Sequence, residues 1–315
     1  MRITGQLIDT ASGAHIWADR FDGTLDDIFE LQDEVASHVV GAIEPKLRQS
    51  EIERASRKPT NSLDAYDLYL RALALRDTHT DEGVREAIAL LKQALAIDPS
   101  YAPAAALIGW SRVHQLSHGR SPVSEADAAE AVTLARRALE ATRDDPDTLW
   151  MAAFTLHTFA SEREIAAAAI ERALTLNPNS AHAWAARGYV SLAQPMTAIE
   201  ALERAMRLSP LDRLSRAFTN GIALAQLAAG QYEEALAWAE RTLRGERYNA
   251  ALRVKAVACA LLDRIEEARA AMRELQEAQP WQTLAGNKRL FSRIYSPKIA
   301  EIFAGALRKI GLPEE

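Results

Sequence analysis

A phrase of thirteen residues recurs along this chain, and that recurrence limits the fold more than any single motif. Ala87-Ile-Ala-Leu-Leu-Lys-Gln-Ala94-Leu-Ala-Ile-Asp-Pro99, Ala166-Ala-Ala-Ala-Ile-Glu-Arg-Ala173-Leu-Thr-Leu-Asn-Pro178 and Ala198-Ile-Glu-Ala-Leu-Glu-Arg-Ala205-Met-Arg-Leu-Ser-Pro210 each place alanine twelve residues before a proline and again five before it. Ala131 and Ala138 before Pro146 form a fourth copy with three extra residues, and Ala235 to Arg247 and Ala268 to Pro280 are weaker copies. The copies end at 99, 146, 178, 210, 247 and 280, so successive spacings are 47, 32, 32, 37 and 33 residues. A period of about 34 residues is that of a helical array.

The segment before each phrase carries its own mark. Ala106-Leu-Ile-Gly109, Trp184-Ala-Ala-Arg187-Gly188-Tyr189 and Asn220-Gly221 each put a glycine where two helices would touch. Gly230-Gln-Tyr232-Glu-Glu-Ala235 leads into one second helix, and Asp263-Arg-Ile265-Glu-Glu-Ala268 echoes it. Small residues at a crossing let helix axes approach to about 8–10 Å, and the proline stops the second helix. One pair cannot bury its apolar stripe, so neighbours must stack. The expected architecture is all-α: a right-handed superhelical solenoid with a concave face.

Composition agrees. The 315 residues include 61 alanines against 14 glycines and 12 prolines, a strongly helix-forming mixture. The formal net charge is −6, so no basic face points to nucleic acid. Cys259 is the single cysteine, which rules out an internal disulfide and fits a reducing compartment. No uninterrupted apolar window reaches the length of a membrane span, and residues 1–20, with Arg2, Asp9, Asp19 and Arg20, do not form a signal peptide.

The first sixty residues read differently. Ile3, Gly5 and Leu7 alternate with Arg2, Thr4 and Gln6, a strand pattern. Thr10-Ala-Ser-Gly13 offers turn chemistry, and His15 to Phe21 a second strand. Thr24 with Asp27 resembles a capping box, and Ile28, Leu31, Val35, Val39 and Ala42 continue as a helix that Pro45 ends or kinks. Lys46 to Lys58 is a mixed-charge exposed helix or linker. A hairpin and one helix bury too little alone, so this piece is expected to be the closing part of an α/β domain that begins upstream. The expected divisions are 1–60 for that remnant, 61–280 for about six helix pairs, and 281–315 for a capping helix and tail. In the last of these, Trp281 and a Gly286-Asn287 turn break the pattern before Ile299, Ile302, Phe303, Leu307 and Ile310 make an amphipathic helix.

The repeat marks resemble the tetratricopeptide family. Trp184, Gly188, Ala198, Leu202, Ala205 and Pro210 match its pattern within one repeat, and Gly230, Tyr232, Ala235 and Trp238 in the next. Arg187 stands where the family prefers leucine, and Arg247 replaces a proline. The resemblance implies a concave face that binds peptides or protein elements. Gly13-Ala-His-Ile-Trp-Ala-Asp-Arg-Phe21 and Asp27-Ile-Phe-Glu-Leu-Gln-Asp-Glu-Val35 resemble the end of a domain similar to the amino-terminal domain of TolB. In bacterial proteins of that architecture, a class III cyclase or a winged-helix DNA-binding domain often lies upstream, and the ending Leu307-Arg-Lys-Ile-Gly-Leu-Pro313 is similar to their tails. The resemblance implies a regulatory remainder rather than a catalyst.

Chemistry-bearing motifs are few. The chain has no phosphate-loop pattern and no HExxH. His114 and His118 are one helical turn apart but lack a third ligand, so neither a metal nor another cofactor is expected. Cys259 sits on an apolar helix face and reads as a buried structural thiol. Asp144-Asp-Pro-Asp147 reads as a helix-capping turn rather than a calcium loop. Inward-facing positions of the first helices nominate a peptide-binding groove of Trp110, His114, Trp150, His157, His182, Tyr189 and Leu224. Arg216 and Asn220, one turn apart, resemble the cation–asparagine pair with which some tetratricopeptide domains grip a peptide carboxylate.

The leading expectation is a non-catalytic scaffold for a protein or peptide partner, the regulatory part of a cytoplasmic bacterial signalling protein, or of a periplasmic one if a membrane helix precedes it. A carboxylate-docking adaptor and an enzyme using groove histidines are the alternatives. Self-association through the edge strand near Met1 is a further expectation.

Overall fold

The computed structural model describes residues 2–8, 15–22, 64–78, 80–209, 215–244, 247–295 and 297–314. Strands β1 (Arg2–Ile8) and β2 (His15–Asp22) pair antiparallel, with Ile3 opposite Phe21 and Leu7 opposite Trp17. The register slips between Leu7 and Ile8. The expected turn at 10–13, the helix from Thr24 and the stretch 46–58 lie outside the described residues.

Fourteen helices follow among the described residues. They are α1 (Ala65–Arg76), α2 (Asp81–Ile97), α3 (Ala102–His118), α4 (Glu125–Ala141), α5 (Pro146–Ala160), α6 (Arg163–Leu176) and α7 (Ala181–Val190). Then come α8 (Pro195–Leu208), α9 (Ser215–Ala228), α10 (Tyr232–Thr242), α11 (Asn249–Leu261), α12 (Ile265–Ala278), α13 (Leu284–Ile294) and α14 (Pro297–Lys309). Consecutive helices pack as antiparallel hairpins, α1 on α2 through α13 on α14, and each hairpin leans on the next.

The recurring alanines are the points of closest approach. Ala87, Ala94, Ala131, Ala138, Ala166, Ala173, Ala198 and Ala205 are all fully buried. The glycines explain themselves by what a methyl group would strike. A Cβ on Gly188 would lie 2.5 Å from Leu202 Cγ and 3.1 Å from the Ala198 carbonyl oxygen; one on Gly221 would lie 2.8 Å from Leu202 Cδ2. Leu202 thus fills the notch that two glycine-bearing first helices leave open, and burying a leucine stabilises by about 1.5–3 kcal/mol.

In three hairpins the turn places a left-handed residue five positions before the first alanine of the second helix. Ser161 (φ 56°), Gly230 (φ 78°) and Asp263 (φ 62°) occupy that position ahead of Ala166, Ala235 and Ala268. The motif around Gly230 fits this conformation; Ser161 and Asp263 adopt it at a conformational cost. Helix starts are capped by Thr80, Ser124, Asp145, Ser180 and Thr283, whose side chains accept from backbone N–H groups of the first turn. Asp145 confirms the capping reading of Asp144 to Asp147.

Gly286 and Asn287 do not form a turn, contrary to the expectation from their residue types. Both lie inside α13, because Thr283 caps that helix through the Gly286 N–H and the Asn287 side chain is consumed by buried partners. In α14, Phe303 and Leu307 are buried, as is Ile310 just past its end, whereas Ile302 faces outward.

The core forms two clusters that meet at α7. This helix presents Ala183 and Ala186 to one cluster and Ala181 and Ala185 to the other. Cys259 is buried in the second cluster, and burial pushes its thiol up to about 11. An inert structural thiol results.

The superhelix does not stay open. α11 packs against α3, and α13 against α5, across the concave side. The C-terminal carbonyls of α3, which no helical N–H can reach, accept the closing bonds. Asn249 Nδ2 donates to His118 O at 2.9 Å, Gln279 Nε2 to Gly119 O at 2.9 Å, and Trp281 Nε1 to Gly119 O at 3.2 Å. Arg163 Nη2 donates to Tyr295 O at 3.3 Å on the second crossing. Behind the first crossing, Arg253 donates to Asn287 Oδ1 and Gln279 Oε1, and Gln282 Nε2 also donates to Gln279 Oε1.

Candidate functional site

Closure turns the concave face into a cavity of about 410 Å³. All nine residues nominated from the sequence line it, because the first helix of every hairpin turns the same face inward. The crossings of α11 over α3 and of α13 over α5 narrow the concave face into a chamber that stays partly open.

An aromatic belt runs around its wall. The Trp110 and Trp150 rings meet edge-on at 4.8 Å, Trp150 lies 5.7 Å from His182, and His182 6.3 Å from Phe218. His114 and His118 lie with ring centroids 4.8 Å apart, as their one-turn spacing requires, and His118 meets Tyr248 at 4.4 Å. Phe154 and Tyr189 approach at 5.5 Å, and Leu224 and Leu227 add aliphatic surface. Trp150 is anchored by its indole N–H, which donates to Asp147 Oδ1 at 3.0 Å.

Polar groups are set into this belt. Tyr189 Oη donates to Ala217 O at 2.8 Å, and burial pushes its phenol up to about 12 despite the Asn220 side chain. Asn220 Nδ2 donates to Tyr189 Oη at 3.4 Å. Arg216 Nε donates to Thr242 O at 3.1 Å, with its guanidinium 5.4 Å from the Tyr248 ring centroid. Arg216 and Asn220 both face the chamber, as their one-turn spacing predicts. His157 is 3% exposed, and burial, together with the nearby Arg163 charge, lowers its pKa to about 4. It is a neutral imidazole at physiological pH. Among the described residues no group of three or more His, Cys, Asp or Glu could hold a metal ion, and no helix is long and apolar enough to cross a membrane.

Comparison with known proteins places the architecture. One half of the APC/C subunit chain in the Cut9–Hcn1 hetero-tetramer superimposes with a TM-score of 0.55 at 14% identity, covering 85% of this chain and 49% of that one. The fold is that of a tetratricopeptide-repeat solenoid. A thermophilic TPR protein of Thermus thermophilus aligns over 66% of this chain and 99% of its own, at a TM-score of 0.48 and 18% identity. In sequence, 156 residues are 32% identical to "Putative adenylate cyclase 3" of Rhizobium meliloti (strain 1021), covering 50% of this chain and 27% of that protein. The chain thus spans about a quarter of that relative. No family model matches the chain.

The solenoid also brings in residues that sequence reasoning passed over. Arg76, at the end of α1, is 2% exposed and holds its guanidinium carbon 3.0 Å from the Trp110 ring centroid. Burial lowers its pKa to about 9. Arg253 is 5% exposed and lowered to about 10 by burial. Phe218, Tyr248, Asn249 and Phe291 complete the wall. Arg253 left one readable trace: it interrupts the apolar run Ala250-Ala-Leu-Arg253-Val, where a solvated arginine would be out of place.

Proposed function

We propose that this tetratricopeptide solenoid is the regulatory, non-catalytic region of a bacterial cyclase-linked signalling protein, holding a protein partner on its helical array. The observation that carries this reading is the 32% identity over 156 residues to a relative named as an adenylate cyclase, of which it matches only 27%. A region that is a minor part of a larger protein, built from stacked hairpins, is suited to relaying binding to a neighbouring domain. Stacked repeats expose a long, modular surface, and their mutual support lets a contact at one hairpin shift the next.

The test is made in the Rhizobium relative. The region matching this chain is exchanged for it, or deleted, and formation of cyclic AMP is followed. The reading expects deletion to change the cyclase output severalfold and the exchanged chain to restore it. Output that is the same with and without the repeats refutes it.

A further inference from the structure

The chamber is charged in a one-sided way. Its wall includes Arg76, Arg216, Arg247 and Arg253, and no aspartate or glutamate among the described lining residues, in a chain whose net charge is −6. Arg247 is spent on Glu274 and Glu277. Arg253 donates to the amide oxygens of Asn287 and Gln279, which carry no charge. Arg76 is the most exposed in energetic terms and the least in area: its Nε and Nη1 make no hydrogen bond, and Nη1 lies 3.7 Å from Asp77 Oδ1. Asp77, itself exposed, forms an ion pair with it from outside the chamber wall, and a guanidinium buried beside an apolar chamber can take a second anion there.

Two further groups are unspent. Asn220 Oδ1 and His157 Nδ1 make no hydrogen bond, although Asn220 is 2% exposed and His157 3%. Asn220 Oδ1 can only accept, so it asks its occupant for a donor. Trp110, with Arg76 over one face, and Trp150 and Phe218 also line the chamber, an aromatic surround that suits a flat apolar body. The volume falls within the usual range for small-molecule sites of roughly 300–1,000 Å³, and the two crossings shorten the concave face.

We propose that the chamber is a binding site for a small aromatic carboxylate that also bears a hydroxyl or N–H donor. Arg76 pairs with the carboxylate, the tryptophans hold the ring, and Asn220 accepts from the donor. This goes beyond the scaffold reading and does not depend on it, since it concerns the chain alone with no partner or cyclase.

Indole-3-acetate and 4-hydroxyphenylacetate are the probes, with their neutral amides as controls, titrated by calorimetry into the 315-residue chain. At least one acid is expected to bind saturably below about 1 mM and to raise the melting temperature by about 2–4 °C at tenfold excess over its dissociation constant. The corresponding amide is expected to bind at least about tenfold more weakly, because it loses the charge-assisted pair. Arg76→Met keeps the length and apolar contact on Trp110 and is expected to weaken the acid to the level of the amide. Failure of both acids to bind overturns the proposal, as does an amide that binds as well as its acid. The amide comparison is made on the unaltered chain, so it stands even where the variant fails to fold.

Discussion

The neutral His157 makes stability depend on acid in a way that can be computed from one residue. In the folded chain its pKa is about 4, against an ordinary value of 6.5, because burial and Arg163 both disfavour the imidazolium. A base whose folded pKa is depressed binds its proton more readily when unfolded. Its contribution is therefore fully present above pH 6.5 and is lost as the pH falls toward 4. Moving from about pH 7 to about pH 4.5 should cost roughly 2.5 kcal/mol through this side chain alone, the greater part of the shift at about 1.4 kcal/mol per unit. Urea denaturation at both pH values, on the parent and on His157→Gln, isolates the effect. Carboxylates that titrate in the same range contribute equally to both proteins and cancel in the double difference. The parent should lose about 2.5 kcal/mol more than the variant. Equal losses would show that the imidazole is solvated or charged in the folded state and would refute the reasoning.

Two further outcomes follow from the packing and the closure. Gly188→Leu should destabilise by about 3 kcal/mol or more, because even its Cβ would press to 2.5 Å from Leu202 Cγ; a melting temperature lowered no more than by a surface change would contradict the placement. Gln279→Ala removes the donor to Gly119 O and an acceptor of Arg253. It should cost about 2–3 kcal/mol and raise amide hydrogen exchange around 249–253 and at the end of α3, whereas unchanged protection there would mean the crossing is not held by this side chain.

What could be read without coordinates was whatever repeats. Ala166 and Ala173 announce their roles because the same spacing recurs at Ala198 and Ala205, and the inward face of each first helix follows from that register. This is why Trp110, His157 and Asn220 were found together although 110 residues separate the first from the last. Closure was illegible for the opposite reason. It depends on contacts 160 residues apart, between Gln279 and Gly119, and on how small twists between hairpins accumulate over the whole array, which no local pattern encodes. Arg76 escaped notice because α1 lies before the first clear phrase. Gly286 and Asn287 misled because their residue types favour turns, while a threonine cap and buried side-chain partners dictate a helix.

The crossing of α11 over α3 also constrains what this protein can become. An open string of hairpins can gain or lose a unit with little consequence beyond the junction. Here a duplicated or deleted hairpin would carry Gln279 and Asn249 past the carbonyls of His118 and Gly119, and the ring would no longer meet. The number of links is set by the need for the bracelet to fasten, so change in this protein must come from substitution within the links rather than from adding more of them.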